Sequence, residues 1–314
     1  MKNAAIEAAF GHRTVTHAGV SAFGAITGDY ARLHLDHHYG KTTPSGGSIA
    51  HGLLSACWAV GALTRHAPQI MGVGQPGAAF AGFHLRLGRM VHVGDTLCVR
   101  SEPGPNRETN FEVLNQDAQV ATSGSVRVLD TGAQLPPAPD AWNVEPQAPA
   151  PEGRILYAED LLTHGPCGQS IGRTLTETDV VHFATETGET NPLYLNREFA
   201  ERSRFAARIA PPMLVFCLGF SDFLNALLPL PLPSTGFAGH LGDSWCLYRG
   251  VEIGETIRAR YKTLQCRTSK SRPEMAIVDF GLQIIDALDK VALEGKIHMM
   301  IPAHATEDAS GGTN

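Results

Sequence analysis

The sequence predicts an α+β fold built twice over, each half an antiparallel sheet wrapped around one long buried helix. Three observations predict it. The chain repeats itself at a fixed offset, each copy holds one stretch that is apolar on nearly every side, and each copy ends in several runs rich in β-branched residues. Thr14-Val15-Thr16 recurs as Thr174-Leu175-Thr176, an offset of 160. At that offset Phe23 meets Phe183, Thr27-Gly28 meets Thr187-Gly188, Leu33 meets Leu193 and Leu54 meets Leu214. The register still holds where Val91-His92-Val93-Gly94-Asp95-Thr96 meets Val251-Glu252-Ile253-Gly254-Glu255-Thr256, with no gap needed. Chance is a poor explanation for a gapless match of this length. The chain is therefore divided into a first domain, 1–130, and a second, 154–302.

Taken in order, each copy starts with a short amphipathic segment (Val20, Phe23, Ile26, Thr27) that leads into a Gly28-Asp29 turn. After a Gly-rich stretch, Ile49 to Arg65 reads as a helix buried all round, roughly 25 Å long at 1.5 Å per residue. Strands are expected over Phe80–Leu87, Met90–Arg100, Thr109–Asn115 and Val120–Leu129. The second copy repeats them at Leu241–Leu247, Glu255–Cys266, Met275–Ile285 and Val291–Ile301. Strand edges need covering, and two such sheets can pair edge to edge within one chain. Residues 131–153 hold six prolines, from Pro136 to Pro151, and read as an extended linker outside the core. The small, polar tail 303–314 is expected to fray.

Bulk composition narrows the function. A hydrophobic content of 43% with 18% charged residues describes a folded globular chain. A net charge of −6 without a basic face argues against nucleic acid as a partner. Apolar runs such as Pro212–Phe220 stop at Asp222, short of the ~18 residues of a membrane helix, so no membrane partner is expected. Met1 to Arg13 has no apolar leader core, and the six scattered cysteines never form C-x-x-C, so reduced thiols and a cytoplasmic location are expected.

The chemistry concentrates in Gly28-Asp29-Tyr30-Ala31-Arg32-Leu33-His34 and Gly47-Ser48-Ile49-Ala50-His51-Gly52-Leu53-Leu54. The first segment brings a carboxylate and an imidazole together across a short turn. The second opens a helix whose first amides lack partners within that helix. Together these are the parts needed to move water on or off an activated carbonyl compound. A metal at Asp36-His37-His38 is not expected, because adjacent side chains rarely converge on one ion. Gly46-Gly47 lack the following Lys-Ser/Thr of a phosphate loop and suit a tight turn instead.

Asp29 and His34 five apart, Tyr39 behind them and Ile49-Ala50-His51-Gly52-Leu53-Leu54 after them resemble the hydratase motif of the MaoC-like family. These are (R)-specific enoyl-CoA hydratases and 3-hydroxyacyl-thioester dehydratases with the hot-dog fold. The resemblance covers most of both halves and implies a tandem, double hot-dog. It implies that Asp29 and His34 share the reacting water and that the Gly52 amide contributes the oxyanion hole. Arg32, Tyr39, His51 and Trp58 are the residues expected around the substrate. That substrate is an acyl-CoA thioester, with CoA as part of the substrate and no separate cofactor or metal. Pairing of the fused domains into a homodimer stays open.

Two departures matter. Many family members read D-x-N-P-x-H, whereas here Ala31-Arg32 stand in place of Asn-Pro. Arg32 could then read a second carboxylate on a short branched or dicarboxylic acyl chain of the mesaconyl or itaconyl type. In the second copy, Asp29 becomes Glu189, His34 becomes Tyr194, and His51-Gly52 become Pro211-Pro212. A phenol of pKa ~10 cannot replace an imidazole near pH 7, and proline has no N–H to offer an oxyanion. The second half is thus expected to shape the acyl tunnel without catalysing. A non-catalytic acyl-thioester-binding or scaffold subunit is the alternative; it would be favoured had both copies lost the pair. A hot-dog thioesterase is disfavoured, because Ile49 to Arg65 carries no Asp or Glu.

Overall fold

The computed structural model describes residues 9–105, 108–233 and 239–304. The expected frayed tail lies, from residue 305 on, outside the described residues. In the first half, β1 (Phe10–Thr14) precedes α1 (His17–Thr27), two short helices α2 (Arg32–Leu35) and α3 (His37–Thr42), and the long helix α4 (Gly52–His66). Strands β2 (Ala79–Leu87), β3 (Thr96–Pro103), β4 (Glu108–Leu114) and β5 (Val120–Leu129) follow. The second half repeats this plan after a short helix α5 (Leu161–His164) and two-residue strands β6 (Gly168–Gln169) and β7 (Arg173–Thr174). It continues with α6 (Glu177–Thr187), α7 (Pro192–Leu195), α8 (Arg197–Glu201) and α9 (Pro212–Leu227). Strands β8 (Gly239–Leu247), β9 (Thr256–Thr268), β10 (Met275–Ile285) and β11 (Val291–Pro302) close the fold.

The two sheets join through β2 and β8, whose register sets Phe83 opposite Trp245 and Leu85 opposite Asp243. The strand order β1-β3-β4-β5-β2-β8-β11-β10-β9-β6 runs antiparallel throughout, with β7 on β9. Two edges that would otherwise be exposed are thereby consumed within one chain. The sheet curls around α4 and α9, and residues Leu53 to Thr64 of α4 are all buried. The repeat is visible in atoms as well as letters. Cys57 and Cys217, one offset apart, face each other with Sγ atoms 3.7 Å apart where the two long helices meet.

Around that point each half's Gly turn lies against the other half's long helix. A Cβ on Gly61 of α4 would fall 2.0 Å from the Thr187 carbonyl oxygen, so only glycine permits this approach. Its counterpart contact sets Gly28 beside Ser221 of α9.

The long helix begins at Gly52, not Ile49, because Ile49 bridges His92 as extended chain. The strand expected over Met90–Arg100 begins only at Thr96. Before it, Asp95 Oδ2 accepts the His92 N–H at 2.8 Å and Gly94 takes a positive φ of 101°, which makes a tight turn. Residues 131–153 contain no helix or strand, yet they are docked on the second sheet. The Trp142 N–H donates to Gln283 Oε1 at 2.8 Å, and the Trp142 carbonyl accepts from Arg260 at 2.9 Å. No helix among the described residues is long and apolar enough to cross a membrane.

Candidate active site

The site is built where α1 stops. Thr16 caps the start of α1 by accepting the Gly19 N–H, and Gly28 ends it in the left-handed conformation, φ 84°. That reversal turns Asp29 inward, leaving it 7% exposed. Asp29 Oδ1 accepts the Ala31 N–H at 3.2 Å, which fixes the carboxylate against the start of α2. His34 follows on α2, and its Nδ1 lies 2.9 Å from the Ile49 carbonyl oxygen. A carbonyl can only accept, so Nδ1 carries the proton and Nε2 of the neutral ring keeps its lone pair. His51 immediately precedes α4, and its Nε2 donates to the backbone carbonyl of Asp29 at 3.0 Å. The two imidazoles are 4.0 Å apart between centroids.

Asp29, His34 and His51 each bring one polar atom to within 4.8 Å of the others. This donor set has the composition a divalent cation accepts. Burial lowers the His34 pKa, while the charge of Asp29 and the bond to Ile49 push back. Burial lowers His51 further, to about 4, with the neighbouring His34 adding to the effect. Both rings are therefore neutral near pH 7. Gly52 supplies the first amide of α4, ahead of any residue in its own helix able to accept it. A Cβ here would sit 2.5 Å from Leu87 Cδ1, so a larger residue would have to push that side chain or the helix start aside.

The structure thus gathers Asp29, His34, His51 and Gly52. His51, expected among the substrate contacts, uses one nitrogen to clamp the Asp29 backbone, and its Nδ1 has no hydrogen-bond partner. Arg32 is exposed, paired with Asp36 at 2.8 Å and placed 4.5 Å over the Tyr39 ring. Arg32 and Tyr39 thus engage one another and Asp36. Trp58 is buried further along α4 beneath the Arg13 guanidinium, 4.1 Å from its ring centre. Arg13 in turn reaches Glu186 of the second half at 2.6 Å, so Trp58 belongs to the seam between halves. Asp36 caps α3 by accepting the Tyr39 N–H, and His37 bonds Ser48 at 2.9 Å.

At the equivalent place in the second half, Glu189 is 1% exposed and neither carboxyl oxygen has a hydrogen-bond partner. The Tyr194 side chain lies beside it and holds its pKa down, but burial is the larger effect and pushes the Glu189 carboxyl up to about 8. Asn191 here caps α7, and Pro212 opens α9 without an N–H. Sequence reasoning missed the His51–Asp29 clamp. Residues 22 apart carry no periodic signal, and only the isolated imidazole before the helix hinted at it.

The first half thus gathers a carboxylate, two imidazoles and a helix-start amide, and the second half carries altered residues at the matching positions. Residues 2–124 match the family described as MaoC like domain, and residues 168–293 match the FAS1-like dehydratase domain region. An (R)-specific enoyl-CoA hydratase of Rhodospirillum rubrum is 32% identical over 154 residues, covering 47% of this chain and 99% of the relative. A 3-hydroxybutyryl-CoA dehydratase of Methylorubrum extorquens is 27% identical over 161 residues, covering 50% of this chain and 92% of the relative. Among solved structures, a MaoC domain protein of Chloroflexus aurantiacus superimposes with a TM-score of 0.70 at 15% identity, covering 94% of this chain and 93% of the other. A Mycobacterium tuberculosis protein described as a double hotdog gives a TM-score of 0.66 at 16% identity, covering 92% and 93%. The fold is a double hot-dog, and the chain belongs to the MaoC-like dehydratase family.

Proposed function

We propose that this enzyme adds water to, or removes it from, a 2-enoyl/3-hydroxyacyl thioester of CoA at the Asp29–His34 site. The observation that carries the reading is the tautomer imposed on His34, whose Nδ1 bond to Ile49 leaves Nε2 as a lone pair beside the Asp29 carboxylate. In the hydration direction, Asp29 orients a water and His34 Nε2 takes its proton as the oxygen bonds to C3. Negative charge moves onto the thioester oxygen, where the Gly52 amide and the start of α4 meet it with fixed dipoles. The proton held on His34 passes to C2, the thioester carbonyl re-forms, and the imidazole is neutral again. General base catalysis supplies about 10²–10⁴-fold and one oxyanion donor about 10²–10³-fold. The scheme uses no metal and no redox cofactor.

The second half supports catalysis by packing rather than chemistry, since Tyr194 and Pro212 lack the imidazole and the amide. For a dicarboxylic substrate, Arg32 would have to leave Asp36 and Tyr39. A monocarboxylic acyl chain needs no such exchange, and we favour it. The six unpaired cysteines fit a cytoplasmic setting. The test follows loss of the conjugated thioester absorbance with crotonyl-CoA for wild type, Asp29→Asn and His34→Ala. Both variants should lose at least about a hundredfold in kcat; variants as fast as wild type would sink the mechanism.

A further inference from the structure

A second carboxylate–imidazole pair sits inside the core, on β8. Asp243 is fully buried, and it lies opposite Leu85 of β2 and Ile297 of β11, both core residues. Cross-strand partners share a face, so its carboxylate points into the core. His240 Nε2 is 2.9 Å from Asp243 Oδ1, and its ring stacks on Phe220 of α9 at 4.7 Å. Two residues further along the same face, Trp245 packs against Phe216 at 4.3 Å. Asp243 Oδ2 and Trp245 Nε1 are both buried and both lack a hydrogen-bond partner. One strand face thus offers an unmet acceptor and an unmet donor inside an aromatic wall. Leaving such groups unpaired is costly, and native interiors rarely do so.

This face adjoins the candidate active site. Leu87 touches the Gly52 position, and Leu85, two residues back on the same face of β2, is in register with Asp243 on the neighbouring strand. Two residues along a strand and one strand across amount to roughly 8 Å. From the other side, Ser221, next to Phe220, lies against Gly28 of the catalytic turn. With C–C bonds of ~1.5 Å, an extended acyl chain covers that distance in about six carbons.

We propose that His240, Asp243 and Trp245 form a subsite for a hydroxyl on the distal part of the acyl chain. The hydroxyl donates to Asp243 Oδ2, its oxygen can accept from Trp245 Nε1, and His240 holds the carboxylate in place. A second carboxylate on the chain would set two like charges together in the core and is rejected. An aliphatic tail would leave both groups unmet.

The inference rests on the hydratase reading, and the test separates the two. Wild type is first assayed with crotonyl-CoA, too short to reach β8; no turnover there refutes the hydratase reading and this inference with it. Wild type is then compared on 2-hexenoyl-CoA and 6-hydroxy-2-hexenoyl-CoA. The hydroxylated chain should be favoured at least about tenfold in kcat/KM. Asp243→Leu, and independently the milder Asp243→Asn, should reduce that ratio, Asp243→Leu to about one or below. Equal rates on the two chains in wild type, or a ratio unmoved in both variants, would overturn the proposal and assign the pair to an ordered water. Because the wild-type ratio stands alone, a variant that fails to fold leaves the test intact.

Discussion

Replacing Gly52 by alanine isolates the role of the helix start. The added Cβ would lie 2.5 Å from Leu87 Cδ1, where ordinary contact begins at 3.4 Å, so roughly 0.9 Å must be found by movement. Alanine gains about 1 kcal/mol of helix propensity, and overpacking costs about 1–3 kcal/mol. The net loss of stability is therefore about 0–2 kcal/mol, read as a Tm lowered by a few degrees at most. The effect on catalysis is much larger, because an amide displaced by ~1 Å no longer meets the developing oxyanion, and such misplacement costs about 10²-fold. Initial rates with saturating crotonyl-CoA should fall about a hundredfold in kcat. The double variant Gly52→Ala/Leu87→Ala, which returns the space, should recover most of that loss. If Gly52→Ala stays within about threefold of wild type, the Leu87 side chain has yielded instead and the displacement of the amide reasoned here does not occur.

Four further outcomes follow from the same geometry. In Asp29→Asn the charge that favours the His34 imidazolium is gone, so the acid limb of kcat/KM should move to lower pH, while the plateau falls; a limb moving upward would contradict the assigned base. Glu189 has a folded pKa raised to about 8 from 4.5, so it opposes folding increasingly as pH rises from about 4.5 towards 8. Glu189→Gln should therefore raise stability at pH 7 by about 3 kcal/mol and by little near pH 4, as read from urea midpoints. Arg32→Ala removes an exposed i,i+4 pair and should change stability by no more than about 0.5 kcal/mol, with equal effects on monoacid and diacid thioesters; a loss confined to the diacid would restore Arg32 as a carboxylate reader. Dialysis against EDTA should leave the hydration rate unchanged, and a rate recovered only by adding back zinc would make Asp29, His34 and His51 a metal centre.

Much of this site is legible in the letters because the repeat supplies an internal contrast. Asp29, His34 and Gly52 stand out once Glu189, Tyr194 and Pro212 occupy the matching positions. The two long helices and the main strands are equally readable, since each buries a sustained apolar face. The short strands β1, β6 and β7 are not, because two to five residues at an edge carry too little periodicity. The His240–Asp243 pair is hidden for a different reason. Residues three apart in a regular strand face opposite sides, and only a local distortion brings these two together. Gly242 takes φ 148°, with no room for a Cβ 2.1 Å from the Leu85 carbonyl, and the β8–β11 register slips at His298/Met299. Arg32 shows the converse limit. Its charge beside the motif suggests a substrate contact, and the letters do not show that Asp36 four residues on pairs with it along the helix face.

The central claim is that one Asp–His pair in one half performs the reaction, and single-turnover hydration of crotonyl-CoA tests it most directly. Wild type, Asp29→Asn, His34→Ala, the double variant and Tyr194→Phe are compared under saturating enzyme. The account predicts losses of at least about a hundredfold in each single variant, a double variant little worse than the poorer single, and wild-type turnover in Tyr194→Phe. Undiminished turnover in His34→Ala, or its abolition in Tyr194→Phe, would place the chemistry elsewhere and contradict the account.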